Sequence, residues 1–213
     1  MLFIDSADIA AITALQRSGI FRGVTTNPTI FARAGRNLRE IPDLYAALNE
    51  LHIEIIMFQA VGSSALEMSQ HARNIAQLGS NVIVKIPAAP IGYETIAALT
   101  AEEFPAPILL TAVYHPAQAV IACELGCWGI APYAGRLSDM GRDPVVTIGK
   151  MADILSGSST RVLAASLRNA DIVGDLAARG VRDFTVSPET AHELIHNPDS
   201  LAALAGFDRD VRW

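Results

Sequence analysis

The sequence predicts a compact (β/α)8 barrel forming one domain, and three observations carry that expectation. Short β-rich runs alternate with helical stretches along all 213 residues, and such alternation builds a parallel sheet covered by helices. Eight strand–helix units share the chain at about 27 residues each, near the lower size limit of a closed barrel. The first strand–helix turn, Ile4-Asp5-Ser6-Ala7-Asp8, lacks the glycine fingerprint of a dinucleotide site, which counts against the runner-up, a doubly wound open sheet.

In chain order the strands read as Leu2–Asp5, Gly23–Thr26, Ile53–Gln59, Val82–Ile86, Ile108–Val113, Gly129–Tyr133, Val162–Ala165 and Phe184–Val186. Helical patterns lie between them, as at Ser63–Leu78, His115–Leu125 and Ala170–Arg179. Asp8, Ser63 and Asn169 stand where N-caps are needed, and Gly79, Gly126 and Gly180 follow helix ends. No linker or low-complexity tract interrupts the pattern. The domain is expected to span residues 1–213, with a helical tail from about 198 to 213.

Composition excludes several classes of function. Hydrophobic residues make up 51% of the chain and charged residues 18%, which fits an enzyme-like body and hints at surface hidden in an oligomer. A net charge of −6 without a basic cluster argues against nucleic acid as a partner. No run approaches the roughly 20 apolar residues of a membrane span, and Met1-Leu-Phe-Ile-Asp5 lacks the basic start of a signal peptide. A cytoplasmic protein is expected. Cys123 and Cys127 read as two buried thiols of one helix, supporting neither a disulfide framework nor a zinc site.

In such a barrel, chemistry gathers where strands end. Those ends carry Asp5, Thr25-Thr26-Asn27, Gln59, Lys85, Thr111, Tyr133 with Arg136, Ser166 with Arg168, and Ser187. Each has a dull explanation alone, as a cap or a turn. Lys85 is harder to dismiss. Only two of the 16 basic residues are lysines; Lys150 reads as a solvated helix residue, whereas Lys85 sits between Val84 and Ile86 in Asn81-Val-Ile-Val-Lys-Ile-Pro87. Burial there lowers a lysine pKa. A neutral buried amine is the nucleophile that forms a Schiff base with a carbonyl. The structural alternatives are an ion pair with a carboxylate such as Asp5, or a side chain that snorkels to solvent. Arg136, Ser166 and Arg168 suit a phosphate, which guanidinium groups fork onto and which late βα loops often hold.

His192-Glu-Leu-Ile-His196 matches the H-E-x-x-H zinc signature. Asn197-Pro198 ends the helix at once, no recognised third ligand follows, and the eighth barrel helix is needed here. No metal is expected. A sugar-phosphate-binding barrel without turnover is the third reading.

Phe3-Ile-Asp-Ser-Ala-Asp8, Gly23-Val-Thr-Thr-Asn-Pro28, Val82-Ile-Val-Lys-Ile-Pro87, Ala131-Pro-Tyr-Ala-Gly-Arg136 and Leu163-Ala-Ala-Ser166 together resemble the short transaldolases and fructose-6-phosphate aldolases, in family order and over essentially the whole chain. The resemblance implies class I chemistry without metal or other cofactor, on ketose phosphates and aldehydes. It casts Lys85 as the imine-forming lysine, Asp5 as acid/base, and Thr25 and Asn27 as holders of the donor hydroxyls. Gln59, Thr111 and Tyr133 would position a proton-shuttling water, and Arg136, Ser166 and Arg168 would hold phosphate. Gln59, Ala131 and Tyr133 match the aldolase branch, where transaldolases usually carry Glu, Ser and Phe; Arg168 is closer to the transaldolase pattern. Ala89-Pro-Ile-Gly-Tyr93 and Tyr114-His-Pro116 depart from the aldolase forms. Family members assemble as pentamers, or decamers of two pentamers, through C-terminal helices, which makes Phe207 and Trp213 candidate docking residues.

Overall fold

In the computed structural model, which describes residues 1–211, eight parallel strands close into a barrel in sequence order. They are β1 (Leu2–Asp5), β2 (Phe21–Thr25), β3 (Ile55–Gln59), β4 (Val82–Pro87), β5 (Ile108–Val113), β6 (Gly129–Pro132), β7 (Arg161–Leu167) and β8 (Asp183–Val186). The helices are α1 (Ile9–Gln16), α2 (Pro28–Arg33), α3 (Ile41–Glu50), α4 (Ala65–Ala76), α5 (Pro90–Ala101), α6 (Ala117–Glu124), α7 (Ala134–Asp139), α8 (Pro144–Ile154), α9 (Ala170–Ala178), α10 (Pro188–Ile195) and α11 (Pro198–Asp210). No helix among the described residues is long and apolar enough to cross a membrane.

The two-residue period of a strand divides the core in two. Ile4, Val24, Ile56, Val84, Ile86, Leu110, Ile130 and Ala164 belong to the large cluster between strands and helices. Phe3, Met57, Ile83, Leu109, Ala131 and Leu163 form a separate plug inside the barrel. Burying each larger aliphatic or aromatic side chain contributes roughly 1.5–3 kcal/mol. Two residues above Phe3, Met57, Ile83, Leu109 and Ala131 stand Asp5, Gln59, Lys85, Thr111 and Tyr133. The parity that seals the interior with apolar groups therefore aims the next polar layer at the barrel's C-terminal mouth. At the opposite end, Arg161 clasps Asp183 at 2.7 and 2.8 Å, beneath the Met1 amine and beside the Trp128 ring.

Asp8 and Asn169 cap α1 and α9 as expected. The expected cap at Ser63 is corrected by one residue: the Ser64 hydroxyl accepts from the Glu67 amide, while Ser63 donates to the Glu67 carboxylate. Gly126 and Gly180 take the left-handed conformation that ends a helix. Gly79 does not. A Cβ there would lie 2.0 Å from the Tyr45 hydroxyl, so a larger residue would have to displace that side chain and its bond to Asn81. β3 starts at Ile55 rather than Ile53, after a left-handed His52, and β7 runs on to Leu167 rather than Ala165. The cysteines differ from expectation too: Cys123 on α6 is exposed, and buried Cys127 lies beyond the helix, its thiol pushed up to about 11 by desolvation. The tail is helical from Pro198, with Leu201, Leu204 and Phe207 exposed. Trp213 lies outside the described residues.

Candidate active site

A cavity of about 630 Å³ opens at the C-terminal mouth of the barrel. Lys85 reaches into it from β4 although it is only 3% exposed. Its Nζ donates to the Thr26 carbonyl at 2.8 Å. It neither snorkels nor, among the described residues, forms an ion pair with Asp5. Burial lowers its pKa, and the Asp5 charge opposes that shift. Asp5 faces the same cavity from β1. Desolvation raises its pKa against the lowering effects of Lys85, the Thr25 hydroxyl and Arg33. A base moved up and an amine moved down approach each other's range, which suits groups that exchange protons near neutrality.

Gln59 and Tyr133 also line the cavity. Thr111 is fully buried behind Tyr133, its hydroxyl 2.8 Å from the phenol oxygen. Desolvation raises the Tyr133 pKa and keeps the phenol protonated, a donor at ordinary pH. The edge of Tyr114 packs on its ring, with centroids 5.8 Å apart. Thr25 sits under Asp5, donating to it at 2.6 Å. Thr25, Thr111 and Ala131 thus lie behind the cavity wall rather than on it. Asn27 lines the wall while its Oδ1 caps α2 through the Ile30 amide, so one side chain shapes the loop and faces the site.

Arg136, Ser166 and Arg168 meet on the opposite wall. Ser166 has φ 56°, inside a bulge where the β7–β8 register skips from Ala164 to Leu167. Ala112 repeats this on β5, with φ 56° and a register shift between Thr111 and Val113. Left-handed backbone at a residue with a Cβ costs about 1–2 kcal/mol, and here it re-aims side chains at the rim on both sides of β6. Gly135 lets α7 approach closely, since a Cβ would lie 2.7 Å from the Ser166 carbonyl and 2.8 Å from the Arg168 Nε. Arg168 is held by Asp139, whose two carboxylate oxygens each accept from it at 2.6 Å; that contact holds the Asp139 carboxyl below its ordinary range. Arg136 and Arg33 make no ion pair with cavity carboxylates among the described residues. The mouth is therefore rich in guanidinium charge, which attracts phosphate.

A model of the family described as Transaldolase/Fructose-6-phosphate aldolase matches residues 2–211. The chain belongs to that family. Similar proteins include a probable transaldolase of Exiguobacterium sibiricum, 31% identical over 98% of this chain and 96% of its own length. Another from Caulobacter vibrioides is 33% identical over 98% of this chain and 95% of its own. Among solved structures, mandelate oxidase with benzoyl-formic acid superposes with a TM-score of 0.61 at 14% identity. That match covers 87% of this chain, which spans only 64% of the oxidase, and it bears on the fold alone. Membership makes this transaldolase/aldolase-family chain an enzyme of aldolase or transaldolase type.

Arg33, Asp139 and Thr185 line the family cavity but were not marked by sequence reasoning. Thr185 was findable: in Asp183-Phe-Thr-Val186 the apolar residues alternate with polar ones that face inward. Arg33 and Asp139 carried no such signal, because their place depends on α2 and α7 each being six residues long. The H-E-x-x-H segment forms the eighth barrel helix, α10. His196 lies past its last turn, and the Glu193 carboxylate accepts from the Ala170 amide at 3.1 Å. Among the described residues, no group of three His, Cys, Asp or Glu could hold a metal.

Proposed function

We propose that this enzyme is a Schiff-base aldolase for ketose phosphates, with Lys85 as nucleophile and Asp5 as acid/base. The observation that carries the reading is a lysine 3% exposed at a strand end, its amine in the cavity and its charge disfavoured by burial beside a carboxyl. The neutral amine adds to the ketone carbon, water leaves, and a protonated imine results. Asp5 then takes the proton of the hydroxyl two carbons away. The bond between that carbinol carbon and the carbon next to the imine breaks, the aldehyde departs, and the electron pair rests in an enamine. Protonation of the enamine carbon and hydrolysis release a dihydroxyacetone-type product; attack on a second aldehyde gives three-carbon transfer instead. Arg136, Ser166 and Arg168 suit the phosphate, and Asn27 and Gln59 the donor end, while Thr25, expected there as well, is buried beneath Asp5 and serves it instead.

The Tyr133 hydroxyl favours release over transfer, because a protonated phenol at the cavity wall can supply the enamine proton, directly or through water. The transfer reading has its own support in the relatives described as probable transaldolases. Incubation with dihydroxyacetone or fructose 6-phosphate, borohydride reduction and peptide mass spectrometry test the chemistry; an adduct is expected on Lys85, and its absence defeats the reading. Tyr133→Phe separates the two outcomes. Cleavage should fall about 10-fold or more while transfer falls less; an unchanged ratio of the activities would remove the case for the aldolase.

The phosphate wall gives a further expected result. Gly135→Ala pushes Ser166 and Arg168 away from α7, at about 1–3 kcal/mol for overpacking. KM for fructose 6-phosphate should rise roughly 10-fold, with adduct formation from unphosphorylated dihydroxyacetone little changed. Equal losses with both compounds would place the phosphate elsewhere.

A further inference from the structure

We propose that Thr185 is a positioning residue for this reaction, the outer end of a hydroxyl relay that holds Asp5 in its working orientation. The inference rests on the role of Asp5 given above. The Thr25 Oγ1 lies 2.6 Å from the Asp5 Oδ1 and 2.5 Å from the Thr185 Oγ1. Thr25 is fully buried, and Thr185, at the cavity wall, is only 2% exposed, so solvent does not reach the Thr25 hydroxyl and reaches that of Thr185 little. The direction of the relay follows from proton counting. An ionised carboxylate only accepts, so the single hydroxyl proton of Thr25 is committed to Asp5. The contact with Thr185 must then be donated by Thr185. A hydroxyl that receives a hydrogen bond is a stronger donor in turn, and Thr185 thereby strengthens the bond that fixes one oxygen of Asp5 and stabilises its charge.

Three strands meet in this relay: Thr185 on β8, Asp5 on β1 and Thr25 on β2. β1 pairs with both neighbours, and the register sets Asp5 against Thr25 and Phe3 against Thr185. The carboxyl is thus pinned from below by two adjacent strands while it faces the cavity. Asp5 also feels Lys85 from β4 and Arg33 from α2, and it faces Tyr133 at the N-cap of α7. None of these is altered in the Thr185 variants.

Thr185→Val removes the hydroxyl and keeps the shape. A drop in kcat of about 10-fold is expected, the equivalent of weakening one hydrogen bond to a charged group, with KM changed less than about 2-fold. The acid limb of the kcat profile should move to higher pH, because the carboxylate loses part of its stabilisation. Thr185→Ser, which restores the hydroxyl, should return both the rate and the limb. Thr185→Ala gives the same readout should the valine variant fail to fold. An unchanged acid limb in whichever of Thr185→Val and Thr185→Ala folds overturns the proposal, even where kcat falls, since a purely structural defect lowers the rate without moving the limb. Borohydride trapping of the wild-type protein runs alongside. No adduct on Lys85 defeats the imine reading itself, whereas an adduct with unmoved Thr185 variants defeats only the relay.

Discussion

Lys85→Met is expected to lower turnover by about 10³-fold or more, to abolish borohydride trapping, and to leave the barrel folded. Methionine has similar length and no charge to desolvate. The variant loses the bond to the Thr26 carbonyl, worth about 1 kcal/mol, and removes the cost of an ammonium that is 3% exposed. These oppose each other, so stability should change by less than about 2 kcal/mol. The pH dependence has a definite sign. The folded pKa of Lys85 lies below its ordinary value, so between the two the unfolded chain binds more protons, and wild-type stability rises with pH across that window. The advantage of Met over Lys is therefore largest below the depressed pKa and shrinks towards about pH 10.4. Urea titrations at several pH values read this directly. A variant that retains turnover would end the role given to Lys85, and an advantage that grows with pH would end the account of its burial.

Asp5→Asn should reduce kcat by about 10²–10⁴-fold, the usual range for losing a general acid–base, yet leave adduct formation at Lys85 intact. Thr25 can still donate to the amide oxygen, so the local fold should persist. Neutralising Asp5 removes the one charge that favours the ammonium form of Lys85. The midpoint of the pH dependence of trapping should accordingly fall below that of wild type. A midpoint that rises, or a kcat within a few-fold of wild type, contradicts the assignment.

Much of this site was legible in the residues, and the reason is the strand period. In Val82-Ile-Val-Lys-Ile-Pro87 the alternation puts Val84 and Ile86 on the helix side and Ile83 and Lys85 inside. Asp5 and Tyr133 follow from the same parity on their own strands. Parity alone does not report height within the barrel. Thr25 and Thr111 have the same inward character as Lys85, yet they lie beneath the cavity and act on it through Asp5 and Tyr133.

The chain's own alternation determined the barrel, its apolar plug and the inward aim of Lys85, because each depends only on which residues neighbour one another along a strand. Tertiary structure alone decided the rest. The left-handed Ala112 and Ser166 carry no glycine to announce their bulges. Arg33 and Asp139 come to the cavity from the ends of two short helices remote from each other in sequence. Their contribution depends on distances between elements, and those are set only when packing closes the barrel.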